Sequence, residues 1–264
     1  MNTSRRVTVS VIFTMAVLIL AVVALQDYHF DGRNYRQDEM ILVHNGYAES
    51  ISRVVQLGGI NAGHPLGWQI VTTIWIKSTG YAEPAARHLS TLVTMITLAL
   101  VFRFGSDLVD WQTGLYATFI LGTLAFGMFY MHEFRPNPAL VMATIGMEFA
   151  FLRWSYHPGF KYALLYVIFG VIGLQSHYFA CYVLAAQAVR FVLLVRWNKP
   201  IYLRAFGLFA AVGLSACAWI LPFIARMLTT GGQSNVLASN ARFFEIVYQQ
   251  MQIRPTALGY LLLP

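Results

Sequence analysis

Apolar residues gather along this chain into long runs separated by short polar stretches. Such runs lie at 7–25, 88–105, 112–130, 138–154, 161–176, 178–195 and 205–226, and another opens near 256 and ends at Pro264. A helix needs about 20 mainly apolar residues to cross the hydrocarbon core of a bilayer, and each run approaches or meets that length. The first run follows Arg5 and Arg6 and exceeds the roughly 7–15 residues of a signal-peptide core. Despite the cleavage-like Val22-Val23-Ala24, it therefore reads as an uncleaved first span. The pattern predicts an all-α fold: a polytopic transmembrane bundle of about seven spans plus the start of an eighth.

One stretch does not fit this rhythm. Residues 66–80 are apolar but short, and Lys77 interrupts them. If this stretch does not cross and residues 1–6 are inside, the inner connections are 104–111, 154–160 and 196–204. These and their helix ends hold Arg5, Arg6, Arg103, Arg153, Lys161, Arg190, Arg196, Lys199 and Arg204, nine of the 18 basic residues. Positive residues concentrate on the inner side of membrane proteins, so a dipping or surface helix is expected at 66–80. In the outer loop 26–87, Ala48, Ile51, Val54, Val55 and Gly58 share one helical face, opposite Glu49, Ser50, Ser52 and Arg53. That pattern predicts a helix lying in the interface.

Composition agrees: 58% of the 264 residues are hydrophobic, 11% are charged, and mean hydropathy is +0.58. A soluble domain carries roughly 25% charged residues. The net charge of +7 raises the question of nucleic acid. The basic residues flank apolar runs, however, and no basic patch or nucleic-acid motif is present, so that class is excluded. Cys181 and Cys217 fall inside apolar runs, as small packing residues do. No linker, repeat or soluble domain interrupts the chain, which reads as one membrane domain over 1–264.

The polar residues that could carry chemistry collect on the predicted outer side. They are Asp38-Glu39 in YRQDEMILV, His64-Pro65, Glu133 and Arg135 in HEFRP, and His177-Tyr178. Carboxylates beside cationic and imidazole groups at a membrane surface suit an anionic lipid headgroup and a nucleophile that must lose a proton. Each also has a structural explanation. Acidic residues at a helix start complement the helix dipole, Glu133 and Arg135 can pair across a turn, and His177 can satisfy a helix end. Glu148, inside the 138–154 run, suits hydrogen bonding within the bundle.

Order and spacing add to this. An outer Asp-Glu, then GHPLGWQI, then EPAARHLSTLVTMITLALVFRFG, then EFRPN resembles the GT-C class of membrane glycosyltransferases. The likeness is to the bacterial branch related to protein O-mannosyltransferases and lipid A aminoarabinose transferases, and covers about residues 1–200. Arg36 stands where that family often has Trp, Leu66 replaces the second Pro of His-Pro-Pro, and Phe134 and Asn137 replace Ala and Tyr in its last motif.

The resemblance implies an inverting transferase at the outer face of a bacterial inner membrane, with the N-terminus cytoplasmic and a polyprenyl-phosphate sugar as donor. Asp38 would be the general base and Glu39 its companion. Arg135 and His64 would meet the donor phosphate, with Lys77 and Arg87 as further cations and His177 nearby. Glu39 and Glu133 would orient Asp38, the acceptor, or a divalent metal if one binds. No glycine-rich nucleotide loop is present, and a lipid-linked donor needs none. Members of this class usually continue for several more spans, so the C-terminal part of the family is expected to be missing. The rival expectation is a non-catalytic membrane subunit within a larger complex. Sugar and acceptor are left open.

Overall fold

In the computed structural model the apolar runs are helices, and no strand occurs among the described residues, 3–27, 34–60, 65–194 and 199–221. The elements are α1 (Thr3–Asp27), α2 (Gln37–Gly46), α3 (Ile51–Ile60), α4 (Leu66–Thr79), α5 (Glu83–Leu108) and α6 (Trp111–Thr123). They continue with α7 (Ala125–His132), α8 (Asn137–Tyr156), α9 (Phe160–Ser176), α10 (Ala180–Leu194) and α11 (Lys199–Ser215). The chain divides into two compact units, Met1–Ile220 and Leu221–Pro264, and the following concerns the first. The run expected near 256 lies outside the described residues.

The expected span count is not established by helix length. Among the described residues, Glu83–Leu108 and Pro200–Leu221 are long and apolar enough to cross a membrane. Val9–Leu25, Phe160–Ser176 and Ala180–Leu193 are apolar but shorter. The run 112–130, expected to be one span, is broken: Leu124 takes φ −63°, ψ 123°, which ends α6 and starts α7. Over α8, Glu148 and Arg153 dilute an otherwise apolar sequence.

Long-range contacts orient the elements. At one end of the bundle, Arg87 at the start of α5 meets α2, and the α7–α8 turn meets α2 as well. At the opposite end, Asp107 near the end of α5 pairs with Arg153 near the end of α8. The α9–α10 turn returns to the α2 end, because a Cβ on Gly67 in α4 would lie 2.5 Å from Gln175 Cβ. At the other end of α4, Trp75 Nε1 donates to Ala85 O at 2.8 Å and Lys77 Nζ to Ala48 O at 2.6 Å. Both ends of α4 therefore touch elements at the α2 end. Its 14 residues make about 21 Å of helix, short of the ~30 Å hydrocarbon core.

Glycines set the closest helix crossings. A Cβ on Gly105 would lie 2.9 Å from Gly114 Cα, so α5 and α6 approach backbone to backbone, as small residues allow in membrane bundles. Gly80 ends α4 at φ 100°, a conformation that side-chain-bearing residues rarely adopt. The helix expected around 51–58 is α3, packed on α4. Its Val54 is fully buried, while Ile51 and Val55 stay exposed.

The core of the far half is aromatic and apolar, with Phe151, Trp154, Tyr166 and Phe191 among its buried members. Glu148 does hydrogen-bond within the bundle. It accepts from Gln187 Nε2 at 2.8 Å and pairs with Arg190 at 2.8 Å, while Tyr166 donates to Gln187 Oε1 at 2.8 Å. Cys181 and Cys217 are both free.

Candidate active site

The site is built around Glu39, whose position follows from helix-end chemistry. Arg36 precedes the first turn of α2, and its N–H donates to Glu39 Oε2 at 2.9 Å, as in a capping box. The same carboxylate then takes Arg87 Nη2 at 2.8 Å on Oε2 and Arg87 Nε at 3.1 Å on Oε1. Phe134 N donates to Oε1 at 2.7 Å. Glu39 is fully buried and accepts four hydrogen bonds, two of them from a forked guanidinium. Burial pushes its carboxyl up, but Arg87 and the N–H groups of Arg36 and Phe134 outweigh that and hold it below the ordinary carboxylate range.

Glu39 was expected beside Asp38 as its catalytic companion. It is buried, both of its oxygens are engaged, and it holds the groups around it in place. Arg87, expected as a further cation for the donor phosphate, is buried with it. Its buried guanidinium is held by Glu39, donates to Asn34 O at 3.3 Å, and lies over the Tyr35 ring at 5.7 Å.

Glu39 ties α2 to the turn after α7, and that turn brings the remaining charges together. The helix ends at His132, leaving carbonyls without helical partners. Hydroxyls on α5 meet them: Thr94 Oγ1 donates to Met131 O at 3.1 Å, and Ser90 Oγ to Glu133 O at 2.8 Å. Glu133, buried beneath this turn, pairs with Arg36 through Oε1 and lies 3.4 Å from Arg135 Nη1 through Oε2. Arg135 Nη2 is 3.1 Å from Asp38 Oδ2. The expected Glu133–Arg135 pair thus exists, and Arg135 bridges it to Asp38.

Exposure sorts these groups. The side chain of Asp38 is 60% exposed, that of Arg135 24%, and that of Glu133 7%. Asp38 is the carboxylate of this cluster that a ligand can reach, and Arg135 is the cation beside it.

Arg36 was noted in the sequence only as a departure from a pattern. It adds a third guanidinium, paired with Glu133 and 4.8 Å from the Phe129 ring centre. Its partner lies 97 residues away, so spacing alone could not have shown the contact.

The other expected site residues are not brought into the Asp38–Arg135 contact. Lys77 is tied to Ala48 O, beyond the C-terminal end of α2, a helix of about 15 Å, whereas Asp38 and Glu39 are in its first turn. His177 is buried at the α9–α10 turn, where Nδ1 accepts from Phe179 N at 3.1 Å and the ring packs on Tyr178 and Phe179. His64 lies outside the described residues. No group of three or more His, Cys, Asp or Glu among the described residues could hold a metal. The three carboxylates of the cluster are matched by guanidinium groups.

Residues 63–225 match the family model described as dolichyl-phosphate-mannose-protein mannosyltransferase. The chain belongs to this family. No curated protein matches it. The dolichyl-phosphate-mannose-protein mannosyltransferase family is one of membrane glycosyltransferases of GT-C type, and membership supports glycosyltransferase activity. The matched region contains Lys77, Arg87, Glu133, Arg135 and His177 and begins one residue before His64. Asp38 and Glu39 lie upstream of it. Their connection to the family region is structural, through the Glu39 bonds to Arg87 and Phe134.

Proposed function

We propose that this chain transfers a sugar from a polyprenyl-phosphate donor to an acceptor hydroxyl at the outer face of the membrane. The observation that carries this is the accessible Asp38 carboxylate 3.1 Å from the Arg135 guanidinium, on a scaffold locked by buried Glu39. As the acceptor oxygen bonds to the sugar C1, its proton passes to Asp38 and the C1–O bond to the lipid phosphate breaks, with inversion. The phosphate begins as a singly charged diester and leaves with a second negative charge developing. A guanidinium on that phosphate binds more strongly in the transition state than in the ground state, which is what accelerates the step. In the free enzyme Arg135 rests on Asp38. An arriving phosphate competes for Arg135 and releases Asp38 to act as base.

Protein in lipid nanodiscs, given short-chain polyprenyl-phosphate mannose, is expected to bind it saturably, and to release polyprenyl phosphate only when an acceptor hydroxyl is supplied to take the sugar. No binding of any polyprenyl-phosphate sugar would contradict the proposal.

The outer placement rests on seven crossings by α1, α5, α6–α7, α8, α9, α10 and α11, with the N-terminus inside. Both ends of α4 touching the α2 end supports it, as do Arg103, Arg153, Lys161 and Arg204 toward the opposite end. Single cysteines at Glu49, Asn137 and His157, in a chain lacking Cys181 and Cys217, report sidedness to an impermeant thiol reagent. Labelling is expected at 49 and 137 from outside, and at 157 only after permeabilisation. Labelling at 49 without 137 would overturn the arrangement.

A non-catalytic subunit is favoured by one observation, the pairing of each carboxylate in the cluster with an arginine. Such a subunit would tolerate loss of Asp38.

A further inference from the structure

The end of the bundle opposite Asp38 carries a groove that sugar transfer does not use. Trp154, Pro158, Phe160, Arg204, Gly207 and Leu208 line it, with a volume of about 340 Å³. It lies where the end of α8 and the start of α9 meet the first three turns of α11. Trp154 is buried, Phe160 is 81% exposed, and a Cβ placed on Gly207 would meet nothing within 4 Å. The groove is apolar and open, and among the described residues a single charged side chain borders it.

That charge differs from its neighbours. Arg103 and Arg153 share Asp107 as a counter-ion, and the Lys161 ammonium lies 5.8 Å from the Tyr162 ring centre. Arg204 is exposed and has no ion-pair partner among the described residues. No carboxylate among the described residues lines the groove. An apolar trough with a lone guanidinium complements a molecule with an acyl chain and a negatively charged head. Basic pockets between membrane helices recognise anionic headgroups in this way, and aromatic side chains such as Phe160 favour the headgroup level.

We propose that this groove binds an anionic glycerophospholipid from the adjacent leaflet, its phosphate on Arg204 and an acyl chain along Trp154, Phe160 and Leu208. The lipid braces the corner where α11 joins α8 and α9. The site is independent of the glycosyltransferase proposal, because it lies at the other end of the bundle and needs no sugar donor.

The test is melting temperature and retained lipid, measured on the intact chain in detergent with phosphatidylglycerol or phosphatidylcholine added. Phosphatidylglycerol is expected to raise the melting temperature and stay bound, and phosphatidylcholine to do so far less. Arg204→Gln is expected to weaken phosphatidylglycerol binding by roughly fivefold without changing the lipid-free melting temperature. Gly207→Leu, which fills the trough, is expected to weaken it while leaving Arg204 in place. Equal effects of the two lipids, or unchanged phosphatidylglycerol binding in both variants, would overturn the proposal. So would stabilisation by glycerol phosphate as large as by the lipid, which would mark a soluble-anion site. A lower lipid-free melting temperature in Gly207→Leu would show that the chain itself fills the groove, and would also overturn it.

Discussion

Asp38→Asn is expected to give a folded, membrane-inserted protein that no longer transfers sugar. The amide matches the carboxylate in size and can still accept a hydrogen bond from Arg135, but it cannot take the acceptor proton. Losing a general base typically costs about 10²–10⁴ in rate, and here the loss should fall on kcat with donor affinity nearly unchanged. Stability should move little, because Asp38 is 60% exposed and its pairing with Arg135 is wet. Near-normal turnover in a properly inserted Asp38→Asn protein would remove Asp38 as base and favour the subunit alternative.

Glu39→Gln is expected to have the opposite signature, a large loss of stability. Its partner Arg87 is buried with it, and the carboxylate also holds the N–H groups of Arg36 and Phe134. Glutamine removes the charge and turns an NH₂ group toward donors. Breaking one side of a buried ion pair costs about 3–5 kcal/mol, because the remaining charge is left unmatched. The melting temperature should fall sharply, and activity should fall with the folded fraction.

Acid offers a second test of the same contact. The folded carboxyl of Glu39 lies below its unfolded value, so its stabilisation is complete above about pH 4.3, the ordinary glutamate value. It is lost as pH falls through the lower, folded value. Glu39→Gln should lack this part of the acid dependence. A mutant as stable as the parent would show that α2 is held by other contacts, such as the Tyr81 hydroxyl on Gly46 O at 2.9 Å.

The contrast between these neighbours shows where sequence is informative and where it is not. Among the described residues, helices appear where the apolar runs predicted them, because period and length are local properties. The break at Leu124 was not read from the sequence: Gly122, Thr123 and Gly127 weaken the helix there, but no proline or charged residue marks an end within the apolar run. The sequence motif placed Asp38 and Glu39 side by side and could not separate them. Burial separates them, and it arises from Arg87 and Phe134, 48 and 95 residues further along the chain. Arg135 was singled out from its motif, whereas Arg36 became meaningful only once the fold set it against Glu133. The resemblance named Lys77 and Arg87 as further cations, and only the fold shows their partners, a backbone carbonyl and the Glu39 carboxylate.

The central claim is that Arg135 holds the donor phosphate beside Asp38. Affinity of the Arg135→Lys protein for a polyprenyl-phosphate sugar, read with its melting temperature, tests it most directly. Lysine keeps the charge but lacks the planar fork that meets a phosphate with two parallel donors. If the claim holds, donor affinity or turnover falls markedly, by about tenfold or more, while the melting temperature barely changes. If Arg135 only pairs with Glu133 and Asp38 at a wet helix end, each contact is worth no more than ~1 kcal/mol and lysine serves nearly as well. Unchanged donor affinity and turnover in Arg135→Lys would contradict the account.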